Sequence, residues 1–312
     1  MEKNIIKDPF AIAFRKEILS MKYLKKNDKI IIAASGGMDS TVLLYLTHWL
    51  DRFKIIVAHI DHSIRDDSIN DRLFLEKMCK DLKLPFFFKK LDFNSRSKNE
   101  SLEEWARNKR YQYLKILFDE TKSDWIMTGH HCNDHAETVL MNLSRQTGIL
   151  GMLGIKQKNG KIIRPLISFA KKELFEFVKR LELHFVIDST NSDTSFSRNF
   201  IRRKVVKPWE EKVPSLVRSI YKTSKNIEEW KLLIDQILQN FIIDKFKKTD
   251  QRIEIPISLI NILPPLGKLR MFQILFQEEK NLWSKHDYKM LEQFLNSPTT
   301  GKIFKLVAPW LL

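Results

Sequence analysis

Cysteine is scarce in this 312-residue sequence, which contains only Cys79 and Cys132. Two distant cysteines cannot form the disulfide framework of a small secreted domain, so we expect a protein from a reducing compartment. Neither belongs to a Cys-x-x-Cys pair, the usual spacing of thiolates at zinc and iron–sulfur sites. The sequence also lacks an apolar run long enough to span a bilayer and an apolar signal-peptide core. We therefore expect a cytoplasmic protein with no membrane partner.

Acidic residues are too few to balance the basic ones. Asp and Glu number 38 against 54 Lys and Arg, which gives a formal net charge of +16. This excess favours a polyanionic partner, nucleic acid first, over a merely soluble basic surface. The chain is 43% hydrophobic, enough for a packed core, so we expect a globular protein.

Strand and helix patterns alternate through the first half of the chain. This alternation predicts a Rossmann-like α/β fold, in which a parallel sheet carries helices on both faces. The predicted strands cover residues 29–34, 53–61, 85–92 and 124–129, and the predicted helices cover 39–50, 68–82, 101–120 and 133–148.

The pattern changes after Gly148. Closely spaced glycines predict a flexible loop, and an amphipathic helix is expected from about Ser168. From Ser215 onward the pattern is mostly helical. We therefore predict a catalytic domain over 1–214 and a smaller, mostly helical domain over 215–312.

The stretch Ser35-Gly36-Gly37-Met38-Asp39-Ser40 joins the first predicted strand to the first predicted helix. Glycines let backbone N–H groups approach an anion, and a helix N-terminus adds partial positive charge. No lysine follows the glycines, so this is not the GxxxxGK[ST] phosphate loop. For a bare Gly-Gly pair a simple turn is the better interpretation. The whole hexapeptide in this context favours a phosphate site, with Asp39 placed to hold a metal ion.

Two further groups of residues follow predicted strands or lie on predicted helices. His59, Asp61 and His62 end the second strand, at the edge where open α/β sheets bind ligands, although each histidine alone is equally typical of a protein surface. Arg107 and Arg110 lie three apart on one helix face. They either pair with neighbouring glutamates as a solvated charged face or clamp phosphate.

A third group, His130, His131, Asp134 and Glu137, lies where the fourth strand meets the next helix. Asp134 and Glu137 are three apart and share a helix face. An Asp-x-x-Glu pair at a helix start is usually a capping box, which is the favoured structural interpretation. Ligand binding is the alternative, although the spacing matches no zinc signature.

A basic segment follows near residue 200. Phe196 and Phe200 are interleaved with its charges, a composition typical of nucleic-acid surfaces and also of solvated basic helices. Its basic residues are Arg198, Arg202, Arg203, Lys204 and Lys207.

The hexapeptide resembles the PP-loop signature of the N-type ATP pyrophosphatases, which split ATP between the α and β phosphates. Seven ordered motifs over residues 30–203 together resemble one family, the tRNA(Ile)-lysidine synthetases. Ser63 departs from that family, which usually has Gly there. A β-rich C-terminal region found in some members has no evident counterpart. The motifs are SGGMDS, HIDHSIR, ARNKRY, HHCNDHAET, RQTGILGMLG, RPLI and DSTNSDTSFSRNFIR.

The resemblance implies a reaction in which ATP adenylates the C2 oxygen of the wobble cytidine in the CAU anticodon of a tRNA(Ile). The amine of free L-lysine then displaces AMP. ATP and Mg²⁺ are the implied cofactors, with Asp39 as the magnesium ligand. The RQTGILGMLG loop is expected to close over the adenylate. The implied nucleotide-binding residues are Ala33, Ser35, Gly36, Gly37, Met38, Asp39, Ser40, His59 and Asp61.

The resemblance also implies roles for charged residues. Asp134 and Glu137 bind the lysine amines, and the base that deprotonates the attacking amine is one of Asp134, Glu137 and His130. Arg107 and Arg202 are candidates for stabilising phosphate charge, with a tRNA contact as the alternative for Arg107. The remaining implied tRNA contacts are Arg198, Arg203, Lys204 and Lys207.

Three alternatives share the PP-loop signature or its scaffold. A tRNA cytidine thiolase is the nearest, although its iron–sulfur members carry Cys-x-x-Cys pairs. A small-molecule amidotransferase needs a glutaminase domain or ammonia channel, and no N-terminal nucleophilic cysteine is present. A non-catalytic tRNA-binding relative is disfavoured by the intact Asp39, Asp134 and Glu137. A homodimer is expected only because twofold dimers are common.

Overall fold

The computed structural model of the protein describes residues 5–61, 68–92, 96, 100–145, 147–186, 197–243, 245–248, 253–275 and 285–296. The chain divides into two compact units, residues 1–225 and 226–312. His62, Ser63 and residues 188–196 of the DSTNSDTSFSRNFIR motif, which include Phe196, lie outside the described residues.

A six-stranded sheet forms the centre of the first unit. Its strand order is β3-β2-β1-β4-β6-β5, and every neighbouring pair is parallel except β5 with β6. The predicted Rossmann-like sheet is therefore confirmed, with an added antiparallel edge. The strands are β1 (Lys29–Ala33), β2 (Lys54–Asp61), β3 (Phe86–Lys90), β4 (Trp125–Thr128), β5 (Lys158–Asn159) and β6 (Ile162–Ile163).

Helices alternate with these strands and cover both faces of the sheet. The residues of β1 show this alternation directly. Ile30 and Ile32 belong to the core that includes Phe14 and Leu43, whereas Ile31 belongs to the core that includes Leu114. The helices of this part are α1 (Pro9–Ser20), α2 (Met38–Trp49), α3 (Ser68–Asp81), α4 (Leu102–Thr121), α5 (Cys132–Ser144) and α6 (Lys171–Arg180).

A helical run from residue 197 to residue 212 follows the sheet. It consists of α7 (Ser197–Phe200), a π-helical segment (Ile201–Val206) and α8 (Lys207–Lys212). Single π-helical turns are frequent at functional sites. The long helix α9 (Leu216–Ile242) comes next, and the division between the two units falls inside it.

The sheet topology places one edge where a ligand can bind. β1 pairs with β2 on one side and with β4 on the other, so the strand order reverses at β1. In open α/β sheets, ligands bind outside the carboxyl ends of the strands at such a switch point. The glycine loop follows β1, and the histidine–carboxylate group follows β4, so the fold brings both to this edge.

Two of the predicted helix boundaries were wrong. The helix expected to stop at Gly148 ends at Ser144, because the Asn142 carbonyl accepts from the N–H groups of Arg145 and Thr147 in a closing turn. The expected loop after it contains a short 3₁₀ turn, Gly151–Leu153. The helix expected from Ser168 begins at Lys171, because Ala170 is extended and forms the N-cap.

The second unit is mostly helical, as predicted, and adds a short antiparallel hairpin. Its buried residues include Met271, Phe272 and Leu291. Asp235 accepts from the Arg270 guanidinium and from the Lys231 ammonium, each at 2.6 Å. The remaining elements are β7 (Lys247–Lys248), β8 (Ile253–Glu254), α10 (Ile257–Asn261), α11 (Pro265–Leu275) and α12 (Lys285–Asn296).

No helix in the described part of the chain is both long and apolar enough to cross a membrane. The functional division at residue 214 stays a prediction.

Candidate active site

The glycine loop is braced by its own hydroxyl groups. The Ser35 N–H donates to Ser40 Oγ at 3.1 Å, and Ser40 Oγ donates to the Gly37 carbonyl at 3.0 Å. Gly36 has φ +84°, a left-handed conformation that favours glycine. Gly37 is the N-cap of α2 and provides no side-chain acceptor for the first N–H groups of that helix. Such N–H groups, together with the helix dipole, favour an anion at a helix N-terminus.

Glycine occupies the two adjacent positions for different reasons. Gly36 satisfies the backbone conformation, whereas Gly37 has an ordinary φ of −69°. A Cβ added at Gly37 would meet Ser35 Oγ at 3.5 Å, an ordinary contact. No described residue packs closely enough to require glycine at that position, so glycine there leaves the backbone more accessible to a ligand.

A third glycine, Gly129, was not identified from the sequence. It follows β4, and a Cβ there would lie 3.0 Å from the Asp39 carbonyl carbon and 3.1 Å from the Ser40 nitrogen. These are backbone atoms of the α2 N-terminus, which cannot rotate away. Gly129 thus allows the end of β4 to pack directly against the glycine loop.

His131 connects the glycine loop to the next helix. Its Nε2 lies 3.4 Å from Asp39 Oδ2, and its Nδ1 lies 3.5 Å from Asp134 Oδ2. Burial favours the neutral imidazole, but the two carboxylates outweigh burial and raise the pKa of His131. Burial also opposes ionisation of Asp39, and yet His131 and Lys171 lower the pKa of that carboxyl.

The predicted capping box of Asp134 with Glu137 was wrong. His131 is the N-cap of α5 and Asp134 is its N3 residue, with the His131 N–H donating to Asp134 Oδ2 at 3.0 Å. Asp134 therefore caps the helix from position N3, whereas Glu137, one turn later, contacts Arg198 and Arg202.

Glu137 is buried and is held by two guanidinium groups. Arg202 Nε donates to its Oε1 at 2.6 Å, and Arg198 Nε donates to its Oε2 at 2.9 Å. Arg198 Nη2 also donates to Asp134 Oδ1 at 3.3 Å. Burial would raise the pKa of Asp134, but His131, Arg198 and His130 together hold it well below its ordinary value. Two carboxylates and two guanidiniums therefore form a neutral, largely buried quartet.

His130 lies beside this quartet as a neutral imidazole. Its Nδ1 shares a hydrogen bond of 2.8 Å with the Thr128 hydroxyl. Burial lowers the pKa of His130 to about 3, with Arg164, Arg198 and Arg107 acting in the same direction and Asp134 opposing them. An imidazole with so low a pKa is a weak base.

His59 lies under the glycine loop at the end of β2. Its Nδ1 is 2.9 Å from the Ala34 carbonyl, and its ring stacks on Phe86 and Phe88. Burial lowers its pKa, so the ring is neutral and Nδ1 carries the proton. Nε2 is buried without a partner among the described residues. Asp61 is buried nearby on the same strand, and Ala33 ends β1.

A cleft of about 1,050 Å³ opens next to the quartet. Three of the predicted tRNA contacts, Arg203, Lys204 and Lys207, line it together with Arg202. Lys171 and Lys172 also line it and were missed, because a Lys-Lys pair at the start of an amphipathic helix is typical of a solvated face. The other lining residues are Asn133, Glu137, Val206, Glu210, Glu211 and Pro214.

The structure gives two predicted arginines a different environment. Arg198 does not line the cleft and instead contacts both carboxylates of the quartet. Arg107 is exposed, and its guanidinium lies 5.3 Å from the centre of the Tyr111 ring. Arg107 is nevertheless close enough to His130 to lower the pKa of that imidazole.

The residues present fit a magnesium ion that is bound mainly through substrate. No group of three His, Cys, Asp or Glu side chains within the described ranges forms a metal cage. Asp39 Oδ1, however, is buried and accepts no hydrogen bond from a described residue. Magnesium usually takes one or two carboxylates and completes its shell with phosphates and water. Asp39 is therefore the residue that would hold it.

Comparison with known proteins agrees with this geometry. A family model described as the PP-loop domain matches residues 10–209. A tRNA(Ile)-lysidine synthase from Thermosipho africanus is 36% identical over 237 residues, covering 74% of this chain and 54% of that protein. A second, from Caldanaerobacter subterraneus, is 39% identical over 196 residues, covering 61% and 42%. The chain spans about half the length of the curated relatives it matches.

A solved structure shares the fold at low sequence identity. It is the U34-tRNA thiolase NcsA from Methanococcus maripaludis with its [4Fe-4S] cluster. Its TM-score is 0.61 at 19% identity, and the match covers 73% of this chain and 80% of that one.

Proposed function

Because this chain belongs to the PP-loop domain family, we propose that it is an ATP-dependent tRNA-modifying enzyme. More closely, we propose that it ligates L-lysine to C2 of the wobble cytidine in a tRNA(Ile) with a CAU anticodon. ATP is converted to AMP and pyrophosphate through an adenylated tRNA. The name tRNA(Ile)-lysidine synthase, carried by both similar proteins, supports this proposal.

The observation that carries the proposal is the buried carboxylate pair beside the phosphate loop. Asp134 and Glu137 lie on one helix face, and His131 connects Asp134 to Asp39 of the glycine loop. A phosphate site next to two anionic groups suits a reaction that joins an activated nucleic acid to a dicationic amino acid. Lysine arrives with two ammonium groups, which two carboxylates match in charge.

ATP binding falls to the loop between β1 and α2. The N–H groups at the start of α2 bind phosphate oxygens, and Asp39 holds Mg²⁺. Magnesium held by Asp39 would supply positive charge to the phosphates. We infer that His59 and Asp61, at the end of β2, contact the nucleoside part of ATP.

Lysine binding requires a rearrangement of the quartet. Glu137 accepts from Arg198 and Arg202, so a lysine ammonium takes the place of one guanidinium. Arg202 lines the cleft and is the more exposed of the two, with 29% of its side chain accessible against 19% for Arg198. Arg202 therefore moves toward the phosphates when lysine binds, which agrees with its expected role in charge stabilisation.

The lowered pKa values of two candidates bear on which group takes the proton from the attacking lysine amine. His130 has a pKa of about 3, and the pKa of Asp134 is also lowered, so both accept a proton poorly at neutral pH. Glu137, once released from one guanidinium, is the remaining candidate for taking the proton from the lysine amine.

The basic cleft suits the anticodon stem-loop. Arg203, Lys204 and Lys207 provide phosphate contacts, and the wobble base is already unpaired in its loop. A homodimer and a cytoplasmic location stay predictions, and light scattering of the purified chain tests the first.

An iron–sulfur thiolase is the less suitable function for this chain. A [4Fe–4S] cluster needs several cysteine thiolates, and the sequence contains two cysteines. Both are buried, and burial raises the pKa of each thiol to about 12.

The proposal is tested by lysine incorporation. Purified protein, ATP, Mg²⁺ and unmodified CAU-anticodon tRNA(Ile) are incubated with labelled lysine or with labelled arginine or ornithine. We expect label in tRNA only with lysine, together with AMP. Formation of AMP without incorporation of lysine would support the proposed cleavage of ATP but would show that lysine is not the nucleophile.

A further inference from the structure

The glycine loop lacks the lysine that completes the GxxxxGK[ST] phosphate loop. In that loop the lysine reaches the β and γ phosphates. Here no lysine follows Gly36 and Gly37, and Met38, Asp39 and Ser40 stand at the helix start. Helix N–H groups alone leave most of the polyphosphate charge unmatched, so a cation from another element is expected if ATP binds here.

Lys171 lies in the right place to supply that cation. It is the first residue of α6 and lines the same cleft as Glu137 and Arg202. Its charge acts on Asp39 and on His131. The Lys171 N–H also donates to Asn133, two residues after His131, and His131 in turn contacts Asp39. Lys171 therefore lies near the loop aspartate, although it comes more than a hundred residues later in sequence.

The backbone around Lys171 is fixed by its neighbours. The Lys171 N–H donates to Asn133 Oδ1 at 2.8 Å, which ties the start of α6 to the start of α5. The Ala170 N–H donates to Glu173 Oε2 at 2.8 Å and closes the same turn. Asn133 is held in turn by a 3.0 Å hydrogen bond to Glu210. The Lys171 side chain therefore extends from a rigid base rather than from a loop.

The Lys171 ammonium also lacks an ion-pair partner among the described residues. It forms no ion pair within 4 Å with any residue in the described part of the chain. Arg202, the other cleft cation that acts on Asp39, is already held by Glu137 at 2.6 Å. Lys171 can therefore bind an incoming anion without first breaking a contact.

We propose that Lys171, at the N-terminus of α6, binds the β and γ phosphates of ATP. This inference rests on the proposed use of ATP but not on the identity of the nucleophile. When the C2 oxygen of the cytidine attacks the α phosphorus, the bond from that phosphorus to the bridging oxygen breaks. The electron pair stays on pyrophosphate, where the Lys171 ammonium neutralises part of the charge.

The test compares Lys171→Ala with Lys172→Ala in the full chain. Lys172 is the adjacent residue and lines the same cleft, where its charge acts on Glu210, so it controls for the general loss of a positive charge. Calorimetry measures the binding of ATP, inorganic pyrophosphate and AMP. AMP lacks the β and γ phosphates and therefore controls for the nucleoside site.

We expect Lys171→Ala to weaken ATP and pyrophosphate binding by about 10- to 100-fold, the range for one charge-assisted contact. AMP binding should stay unchanged, Lys172→Ala should stay within about threefold of wild type, and Lys171→Arg should recover part of the loss.

Three results would overturn the proposal. These are unchanged ATP and pyrophosphate binding in Lys171→Ala, an equal loss of AMP binding, and a loss confined to tRNA binding, which would assign Lys171 to an RNA phosphate. A wild-type chain that binds ATP but incorporates no lysine would reject the proposed reaction and leave the role of Lys171 standing. A wild-type chain that binds neither ATP nor pyrophosphate would reject both.

Discussion

His131 Nε2 lies 3.4 Å from Oδ2 of Asp39, so a buried imidazole joins the phosphate loop to the helix that carries the carboxylate pair. The other ring nitrogen faces Asp134. Charge on the loop aspartate and charge at the proposed lysine site are therefore linked through one side chain. ATP binding at the loop and lysine binding at the pair are expected to influence each other through His131.

Asp39→Asn tests the loop aspartate. The amide keeps the shape of the side chain but removes the charge that fits magnesium, so we expect pyrophosphate release to fall by at least about 100-fold. Binding of tRNA should change little. Asp51→Asn is the matched control, because it makes the same change in the exposed residue that follows the far end of α2. Pyrophosphate release by Asp39→Asn at the wild-type rate would show that Asp39 does not have the proposed magnesium-binding role.

Glu137→Gln tests the buried quartet. The substitution removes the charge of one of the two carboxylates that Arg198 and Arg202 contact, and breaking a buried ion pair from one side costs about 3 kcal/mol or more. Urea unfolding should show that decrease in the free energy of unfolding. Glu211→Gln, an exposed cleft residue that forms no ion pair with any described residue, should change it by less than about 0.5 kcal/mol. Equal effects of the two variants would contradict the quartet.

Gly129→Ala tests the close packing of β4 against the glycine loop. The added methyl group would meet the backbone of Asp39 and Ser40 at 3.0 to 3.1 Å, so the N-terminus of α2 must shift. We expect a loss of about 1–3 kcal/mol in stability and weaker ATP binding. Gly148→Ala, where a Cβ meets nothing within 4 Å, should leave the thermal midpoint unchanged or slightly higher. A Gly129→Ala protein as stable as wild type would rule out this packing.

The pKa of His130 predicts a pH-dependent stability. The folded chain holds that pKa at about 3, below its ordinary value of 6.5, chiefly through burial, with Arg164, Arg198 and Arg107 reinforcing the shift and Asp134 opposing it. Between about pH 6.5 and about pH 3, His130 is protonated in the unfolded chain but neutral in the folded chain. The His130 contribution to stability is thus present above about pH 6.5 and is lost as the pH falls toward 3.

Replacement of His130 by Gln should therefore reduce the loss of stability between about pH 7 and about pH 5. Urea unfolding of both proteins at each pH measures the difference. In the wild-type protein, the NMR signals of the His130 ring should not titrate near pH 6.5. A titration there, or an identical pH dependence in the variant, would show that His130 is solvated.

Local patterns were enough to predict much of this molecule. Strand and helix alternation predicted the sheet, and the Ser-Gly-Gly stretch predicted the turn from β1 into α2, because both depend on residues that are adjacent in sequence. Phosphate binding by that turn stays a prediction. Arg203, Lys204 and Lys207, predicted to contact tRNA, line the cleft, and the tRNA contact itself stays a prediction. The assignment of the carboxylate pair also depended on a resemblance, since spacing alone favoured a capping box.

Contacts between residues that lie far apart in the chain but meet at the sheet edge could not be predicted from the sequence. Lys171 and Gly129 carry no local signal, since one resembles a solvated lysine and the other a strand-terminal glycine. Their importance arises from atoms of Asp39 that lie far away in the chain. Arg198 was expected to contact tRNA and instead holds Glu137, because a basic stripe does not reveal which member meets a buried carboxylate.

The central claim is that this chain joins lysine to the wobble cytidine of a CAU-anticodon tRNA(Ile) at the expense of ATP. The most direct test is the mass of the wobble nucleoside after reaction with ATP, Mg²⁺ and lysine, followed by digestion of the tRNA. The account predicts cytidine heavier by one lysine less one water, absent when ATP or lysine is omitted and lost in Asp39→Asn. An unmodified cytidine, or a thiolated one, would contradict it.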